Sequence, residues 1–237
     1  MTFAGRGGVF CTIVWGSAIE TLREVLRMSA ARGCDIMIIM ESCERSLLIV
    51  KATETKLKGV YVLEPQVFGD ARGWFMESWS KRKMEAAGIA VDFVQDNQSY
   101  SAQKGTLRGL HYQLDPMSQA KLLRATRGTI FDVAVDIRKG SPQFGQWVGV
   151  ELSAENKRQL FIPRGFAHGF ITLTDDVEVQ YKADNYYAPE CDGNIRWNDP
   201  DIGVAWPIEP VILSEKDTKA PTLKERVETS LNFVYQG

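Results

Sequence analysis

The two histidines of the chain are the first residues that could do chemistry. His111 lies in the run 107–113 and His168 lies in the run 162–170, and glycines interrupt both runs. Within a strand, a histidine can serve as a metal ligand or as a general base. A structural histidine that hydrogen-bonds inside a polar core is the alternative for each of them.

The metal interpretation is the weaker of the two. The sequence has no His-x-His pair, the histidines lie far apart, and no third ligand is marked beside either of them. The cysteines at Cys11, Cys34, Cys43 and Cys191 match no zinc spacing. They are also too sparse for a disulfide framework, so the cytoplasm is the expected location.

Two further side chains favour proton transfer. Tyr181 shares one face of its predicted strand with valines, so its phenol is expected to point inward. Lys121 opens a strand with apolar alternate positions, and lysines are rarely buried without a function. By parity Arg108 and His111 lie on opposite faces, so they can line one pocket only if a bulge or strand end intervenes near Gly109.

The composition is that of an ordinary globular protein. The 237 residues are 44% hydrophobic and 24% charged, which argues against a disordered chain. The 28 Lys+Arg and 30 Asp+Glu nearly cancel, and phosphate binding requires a basic surplus, so nucleic acid is not an expected partner. No apolar run approaches the roughly 18 residues of a membrane span. Neither a membrane span nor a secretory signal is expected.

The elements that must position these residues are strands. From Leu57 onward, short alternating runs are separated by Gly, Pro, Asn and Asp, which is typical of an all-β sandwich or barrel. Strands are predicted at residues 59–63, 73–79, 93–99, 106–114, 121–126, 129–138, 146–152, 159–162, 167–173 and 177–183. These are too many for a small barrel, so we predict a double-sheet jelly roll with a few short helices.

Two local predictions accompany this architecture. In the strand over 129–138, valines alternate with Asp132 and Asp136, which indicates a half-buried strand with one polar face. Between the second and third strands, Ser80 is expected to cap a helix over residues 81–87 that Gly88 ends.

The N-terminal part of the chain has a different character. All nine prolines lie at Pro65 or later, so we predict an extension over residues 1–55 and a jelly-roll domain over residues 56–237. A capping box at Ser17 and helical periodicity up to Gly33 predict one amphipathic helix. We interpret it as a loosely attached appendage, with a docking or membrane-surface helix as the alternative. Met37 and Met40 lie just before the domain, so an upstream overcall of the start is another explanation.

Six runs of the sequence resemble the dTDP-4-dehydrorhamnose 3,5-epimerase family in order and spacing. They are EPQVFGDARG (64–73), FVQDN (93–97), LRGLHYQ (107–113), FDVAVDIR (131–138), LSAENKRQL (152–160) and IPRGFAHGF (162–170). The resemblance extends from about Lys58 to about Leu223. It implies a cupin-like jelly roll that uses no metal and no cofactor and forms a homodimer.

The resemblance also implies roles for individual residues. His111 corresponds to the base, Asp217 to the carboxylate that orients it, and Lys121 and Tyr181 complete the catalytic set. Substrate contacts are implied for Arg72, Glu77, Gln95, Asn97, Arg108, His168, Tyr187, Asp192 and Lys216, with Tyr187 stacking on the thymine. Asp192 stands where family members often carry Glu, so its side chain is shorter than the one that makes this contact in the family.

The function implied by the resemblance is that of an isomerase. Such an enzyme inverts C3 and C5 of dTDP-4-dehydro-6-deoxy-D-glucose and gives dTDP-4-dehydro-L-rhamnose, a step in dTDP-rhamnose biosynthesis, by His/Tyr acid–base chemistry through an enolate. A single-site epimerase or ketoisomerase of the same fold is a near alternative. A non-catalytic dTDP-sugar-binding jelly roll and a metal-dependent cupin enzyme are alternatives from other classes.

Overall fold

The computed structural model describes residues 50–236, so the helix predicted before Gly33 lies outside the described residues. The strands in this part of the chain are β1 (Lys51–Glu54), β2 (Tyr61–Glu64), β3 (Val67–Asp70), β4 (Gly73–Met76), β5 (Gln95–Ser101), β6 (Leu107–Gln113), β7 (Lys121–Arg127), β8 (Thr129–Asp136), β9 (Trp147–Ser153), β10 (Gln159–Ile162), β11 (Phe166–Thr172), β12 (Val177–Ala183) and β13 (Asp192–Asn194). The helices are α1 (Lys81–Ala86), a 3-10 turn (Pro189–Cys191), α2 (Glu215–Thr218) and α3 (Leu223–Thr229).

Two antiparallel sheets face each other. One has the order β1-β2-β10-β7-β12-β5 and the other β13-β6-β11-β8-β9, while β3 and β4 form a separate hairpin. From β5 to β13, successive strands alternate between the two sheets except for β8 and β9, which pair within one sheet, and this is the double-sheet jelly roll predicted from the sequence. Every predicted strand is present, and β1, β3 and β13 are additional. Because β1 pairs with β2, the sheet begins slightly before the domain boundary predicted at residue 56.

The main core fills the space between the sheets. Alternate residues of β7, β10 and β12 meet those of β8 and β11 there, including Leu123, Leu160, Val179, Ile130 and Phe170. Complete burial of one such side chain contributes roughly 1.5–3 kcal/mol. This core occupies one end of the sandwich interior and leaves polar side chains of the same strands to line a cavity.

A second core covers the outer face of the five-stranded sheet. Val133, Val135 and Ile137 pack there against Leu223 and Phe233 from the C-terminal segment. The prediction of a half-buried strand over residues 129–138 is therefore wrong, since both faces of β8 are covered. Its polar face, with Asp132 and Asp136 fully buried, points between the sheets rather than into solvent. The carboxylates are tolerated because each has a cationic or histidine partner.

A third cluster lies on the outer face of the six-stranded sheet, where α1 packs through Met84 against Leu122 and Phe161. Ser80 occupies the N-cap position of α1 as predicted, but its side chain makes no capping hydrogen bond. Gly88 follows the helix with a φ of 84°, a conformation that favours glycine at a helix end. No helix among residues 50–236 is long and apolar enough to span a membrane.

Candidate active site

A cavity of about 390 Å³ opens between the two sheets at the end of the main core. Strands β5, β6, β7, β11 and β12 and the segment before α2 contribute its walls. The lining residues are Ser99, Thr106, Leu107, Arg108, His111, Lys121, His168, Phe170, Tyr181, Ile212, Leu213, Ser214 and Asp217. The structure therefore brings the predicted catalytic set of His111, Lys121, Tyr181 and Asp217 into one cavity, together with His168, a predicted substrate contact.

A bulge allows Arg108 and His111 to share this cavity. His111 pairs with His168 across β6 and β11, but Arg108 pairs with Phe170, so β6 contains one extra residue between the two pairs. The extra residue reverses the parity of β6 and brings both side chains to the inner face.

The bulge depends on glycine at two positions. Gly109 has a φ of 140°, and a Cβ on it would lie 2.5 Å from the Cα of Gly169 and 3.1 Å from the carbonyl oxygen of His168. A side chain there would push the strands apart beside both histidines. The contact between these glycines thus holds the two histidine-bearing strands together.

His111 is hydrogen-bonded to Asp217. The distance from Nε2 of the imidazole to Oδ1 of the carboxylate is 2.6 Å, and the Asp217 side chain is 2% exposed while that of His111 is 34% exposed. Burial alone would raise the pKa of Asp217, but hydrogen bonds from His111, Ser214 and the Gly109 N–H hold it below its ordinary value. The carboxylate therefore stays ionised and fixes the imidazole with Nε2–H toward it, which leaves Nδ1 as the basic nitrogen.

A second histidine–carboxylate pair lies beside the first. Nε2 of His168 is 2.7 Å from Oδ1 of Asp132, and both side chains are buried. Burial lowers the pKa of His168, although the Asp132 charge and hydrogen bond oppose the shift, so this imidazole is neutral at pH 7. Asp132 Oδ2 is buried without a hydrogen-bond partner in the described part of the chain. The alternation along β8 predicts a solvent-facing Asp132, and no local sequence signal marks its pairing with His168.

Lys121 and Tyr181 occupy the opposite wall on the neighbouring strands β7 and β12. Lys121 Nζ lies 5.9 Å from the centroid of the Tyr181 ring. Burial lowers the pKa of Lys121 to about 8, although Asp132 and Asp192 partly counter it. Burial also raises the pKa of Tyr181, so the phenol is protonated at neutral pH and can donate a proton. The cavity thus holds a candidate base, a candidate acid and a buried lysine.

A set of predicted substrate contacts lies outside the cavity wall. Asn97 Oδ1 accepts a hydrogen bond from Gln95 Nε2 at 3.0 Å, and Gln95 Oε1 accepts one from the Tyr187 N–H at 3.1 Å. The Asp192 carboxylate accepts from Lys216 Nζ and, at 3.5 Å, from the Tyr187 hydroxyl. Asp192 thereby joins Lys216 to Tyr187, whose ring is exposed.

Arg72 and Glu77 do not reach this cavity. The Arg72 side chain is 90% exposed at the tip of the β3–β4 hairpin and pairs with Asp70 at 2.5 Å. Glu77 pairs with Lys83 at 2.9 Å. Neither residue lines the cavity that contains His111.

Another cavity, of about 330 Å³, lies on the outer face of the six-stranded sheet. Its charged side chains are already partnered, since Lys182 pairs with Asp96 at 2.9 Å and Arg124 donates to Gln180 at 2.9 Å. It holds neither histidine. Among residues 50–236, no three His, Cys, Asp or Glu side chains form a cluster that could hold a metal ion.

The fold and the inner cavity define a class: a cupin-like jelly roll whose cavity is equipped for proton transfer. The chain belongs to the dTDP-4-dehydrorhamnose 3,5-epimerase family, because the model of that family matches residues 54–225. The family is one of isomerases, so the chain is an enzyme of the epimerase class.

Individual relatives agree with this membership. The chain is 56% identical over 165 residues to a dTDP-4-dehydrorhamnose 3,5-epimerase of Shigella flexneri, covering 69% of this chain and 91% of the relative. It is 54% identical over 185 residues to the Salmonella typhimurium enzyme of that name, covering 77% and 99%. A solved dTDP-6-deoxy-D-glucose-3,5-epimerase from Legionella pneumophila, in complex with dTDP-4-keto-L-rhamnose, is 48% identical with a TM-score of 0.75, covering 79% and 100%.

Proposed function

We propose that the chain inverts C3 and C5 of dTDP-4-dehydro-6-deoxy-D-glucose, giving dTDP-4-dehydro-L-rhamnose. The observation that carries the proposal is the convergence of His111, Asp217, Lys121 and Tyr181 on one cavity in a member of this epimerase family. Both carbons flank the C4 ketone, so removal of either proton gives an enolate with its charge on a single oxygen. One base, one acid and one cation can therefore serve both inversions.

His111 is the proposed base. With Nε2–H donated to Asp217, the lone pair on Nδ1 takes the proton from the carbon, and the electron pair of the C–H bond moves toward the C4 oxygen. The resulting imidazolium is stabilised by the ionised Asp217 at 2.6 Å. Because His111 is partly exposed, its proton can return to solvent between the two inversions.

Tyr181 and Lys121 are proposed to complete the reaction. Tyr181 delivers its hydroxyl proton to the carbon from the face opposite His111, which inverts the centre, and the phenolate regains a proton from solvent. The Lys121 ammonium is proposed to lie near the enolate oxygen, where a buried cation stabilises the developing charge more than it would in water. Neutral His168, fixed by Asp132, offers Nδ1 as an acceptor for a sugar hydroxyl.

The nucleotide is proposed to bind where the cavity opens. Arg108 can grip the diphosphate with its guanidinium, since it lines the cavity while its two hydrogen bonds to Ser101 and the Tyr100 carbonyl hold it in place. The exposed Tyr187 ring is available to stack on thymine, and Asp192 holds it beside Lys216. Gln95 and Asn97 extend this surface along β5.

A homodimer is proposed because Arg72 and Glu77 lie away from their own cavity. The β3–β4 hairpin that carries Arg72 also exposes Phe68, Trp74 and Phe75. Exposed clusters of large apolar side chains often mark protein–protein interfaces. We propose that this hairpin reaches the cavity of a second copy. The cytoplasm is the proposed location, since the free Cys191 and the scattered cysteines suit a reducing compartment.

Proton NMR in deuterated water tests the reaction. The wild-type chain should replace the C3 and C5 protons of dTDP-4-dehydro-6-deoxy-D-glucose with deuterium, and His111→Ala should replace neither. Exchange at one carbon alone would show a single-site epimerase. Binding of the dTDP-sugar without exchange would show a binding protein instead.

Mixing two inactive variants tests the dimer. In a mixed dimer of His111→Ala and Arg72→Ala, one of the two sites has both side chains if Arg72 acts across the interface. Random mixing should therefore restore about a quarter of wild-type activity. No recovery, with dimers re-formed, would show that Arg72 does not act on the partner's cavity.

A further inference from the structure

Helix α2 carries Asp217 but has little to hold it in place. It contains four residues, far fewer than a helix needs to form alone in water, and Asp217 is its only buried side chain. An apolar face therefore does not anchor it. The Ser214 side chain accepts a hydrogen bond from the Asp217 N–H at 3.1 Å and caps the first turn.

Asn194 adds a contact to the backbone of this helix. This residue ends β13, where it lies directly opposite His111 of β6, and its side chain is almost fully buried. Its Nδ2 donates a hydrogen bond to the Lys216 carbonyl at 3.1 Å, which is the peptide immediately before Asp217. Carbonyl groups near the end of a helix lack a partner within it, so this bond ties α2 to the strand beside the base.

The side chain of Asn194 is itself held by hydrogen bonds from helix α3. The Arg226 guanidinium of α3 donates to Asn194 Oδ1 at 2.6 Å and to the Asn194 carbonyl at 2.8 Å. These bonds occupy the amide oxygen and leave Nδ2 pointing at α2. The next residue continues the contact, since the Ile195 N–H donates to the Leu110 carbonyl at 2.8 Å.

We propose that Asn194 is a positioning residue that holds the carboxylate of Asp217 against the imidazole of His111. It touches no group assigned to the reaction, and it acts through the Lys216 carbonyl on the helix that carries the carboxylate. This inference rests on the proposed roles of His111 and Asp217.

Asn194→Asp removes the hydrogen bond from Asn194 to the Lys216 carbonyl. The substitution preserves size and the Arg226 contact, but it replaces the donor to the Lys216 carbonyl with an acceptor. We expect kcat to fall roughly 10- to 100-fold, the usual effect of losing a partner that orients an active-site group, while KM and the dissociation constant for dTDP change by less than about twofold. The matched control is Asn232→Asp, the same change at an exposed residue bonded to Asp115, and it should keep wild-type kcat.

A double-mutant cycle separates positioning from general stability. If Asn194 acts through Asp217, then Asn194→Asp should lower kcat by less than about twofold in the Asp217→Asn background. An equal loss in both backgrounds, or wild-type kcat in the single variant, would overturn the proposal. If Asn194→Asp does not fold, as judged by its melting temperature, Arg226→Gln leaves Asn194 intact but unsupported. It should lower kcat in the wild-type background alone.

A spectroscopic measurement separates this proposal from the proposed reaction. The proton in the short His111–Asp217 hydrogen bond should give a downfield resonance that is absent in His111→Ala. Asn194→Asp should shift or broaden it, and an unchanged resonance would overturn the inference. A wild-type chain that exchanges no substrate proton would refute the proposed reaction, and the resonance would still decide the role of Asn194.

Discussion

Lys121 links catalysis to stability, and the two can be measured together. Its pKa falls from 10.5 to about 8 because folding buries the ammonium, and the neighbouring Asp132 and Asp192 compensate only in part. A difference of about 2.5 pKa units corresponds to about 3 kcal/mol of free energy. Folding thus carries this cost whenever the lysine is charged.

The cost gives stability a defined dependence on pH. Below about pH 8, Lys121 is protonated in both the folded and the unfolded chain, so it adds no slope. Between about pH 8 and 10.5, the folded chain has released the proton and the unfolded chain still binds it, so the free energy of unfolding rises with pH. Lys121→Met removes this titration. We therefore expect the difference in unfolding free energy, wild type minus variant, to increase by about 3 kcal/mol across that window.

Activity should respond in the opposite direction. Above about pH 8 the deprotonated lysine of the free enzyme cannot stabilise the enolate, so wild-type kcat/KM should decline about tenfold per pH unit. Lys121→Met should lose roughly 10²- to 10³-fold in kcat at neutral pH.

Urea titrations at a series of pH values, paired with deuterium exchange of substrate, measure both effects. Lys224→Met, the same substitution at an exposed lysine of α3, is the control and should keep wild-type activity. A flat difference for Lys121→Met, or wild-type kcat at pH 7, would refute the reasoning that a buried charged lysine is retained for catalysis.

Three further predictions follow from the geometry. Asp217→Asn should keep the fold but lower kcat by roughly 10- to 100-fold, because the amide orients His111 less well, and unchanged turnover would contradict the pairing. Tyr181→Phe should still admit deuterium from the His111 face while inversion of at least one carbon slows by roughly 10²- to 10⁴-fold, and inversion of both carbons at full rate would make Tyr181 a packing residue. Deletion of residues 1–49 should leave the melting temperature and activity nearly unchanged. Deletion of residues 1–55 also removes β1, so this shorter chain should have a melting temperature several degrees lower. Equal melting temperatures for the two deletions would show that β1 is dispensable.

The strands could be predicted because their information is local. A period of two and the turn residues between runs mark β6, β7, β8 and β12 without knowledge of their neighbours. The burial of β8 could not be predicted, because the segment that covers its outer face, around Leu223 and Phe233, is distant in sequence. The orientation of Asp132 could not be predicted for the same reason, because the local pattern alone assigns this residue to the solvent-facing side.

In the candidate site, too, some features could be predicted from local sequence and others depend on contacts between distant strands. Parity alone predicted that Arg108 and His111 need an irregularity near Gly109 to share a pocket, and β6 contains a bulge there. The partner of His168 depends on the register of β11 against β8, which residue types do not determine. Asn194 carries no motif of its own, and its position becomes informative only once β13 is known to lie beside β6.

The separation of His111 from Asp217 also affects when the site can form during synthesis. The two residues are 106 positions apart, and α2 follows all strands of both sheets. At roughly 5–20 residues per second, Asp217 is made about 5 to 20 s after His111. Ribosome-bound chains can thus pair most of their strands while the imidazole still lacks its carboxylate. Chains that stall before α2 would hold an unoriented base, so substrate would meet a competent site only on chains whose translation has passed this helix.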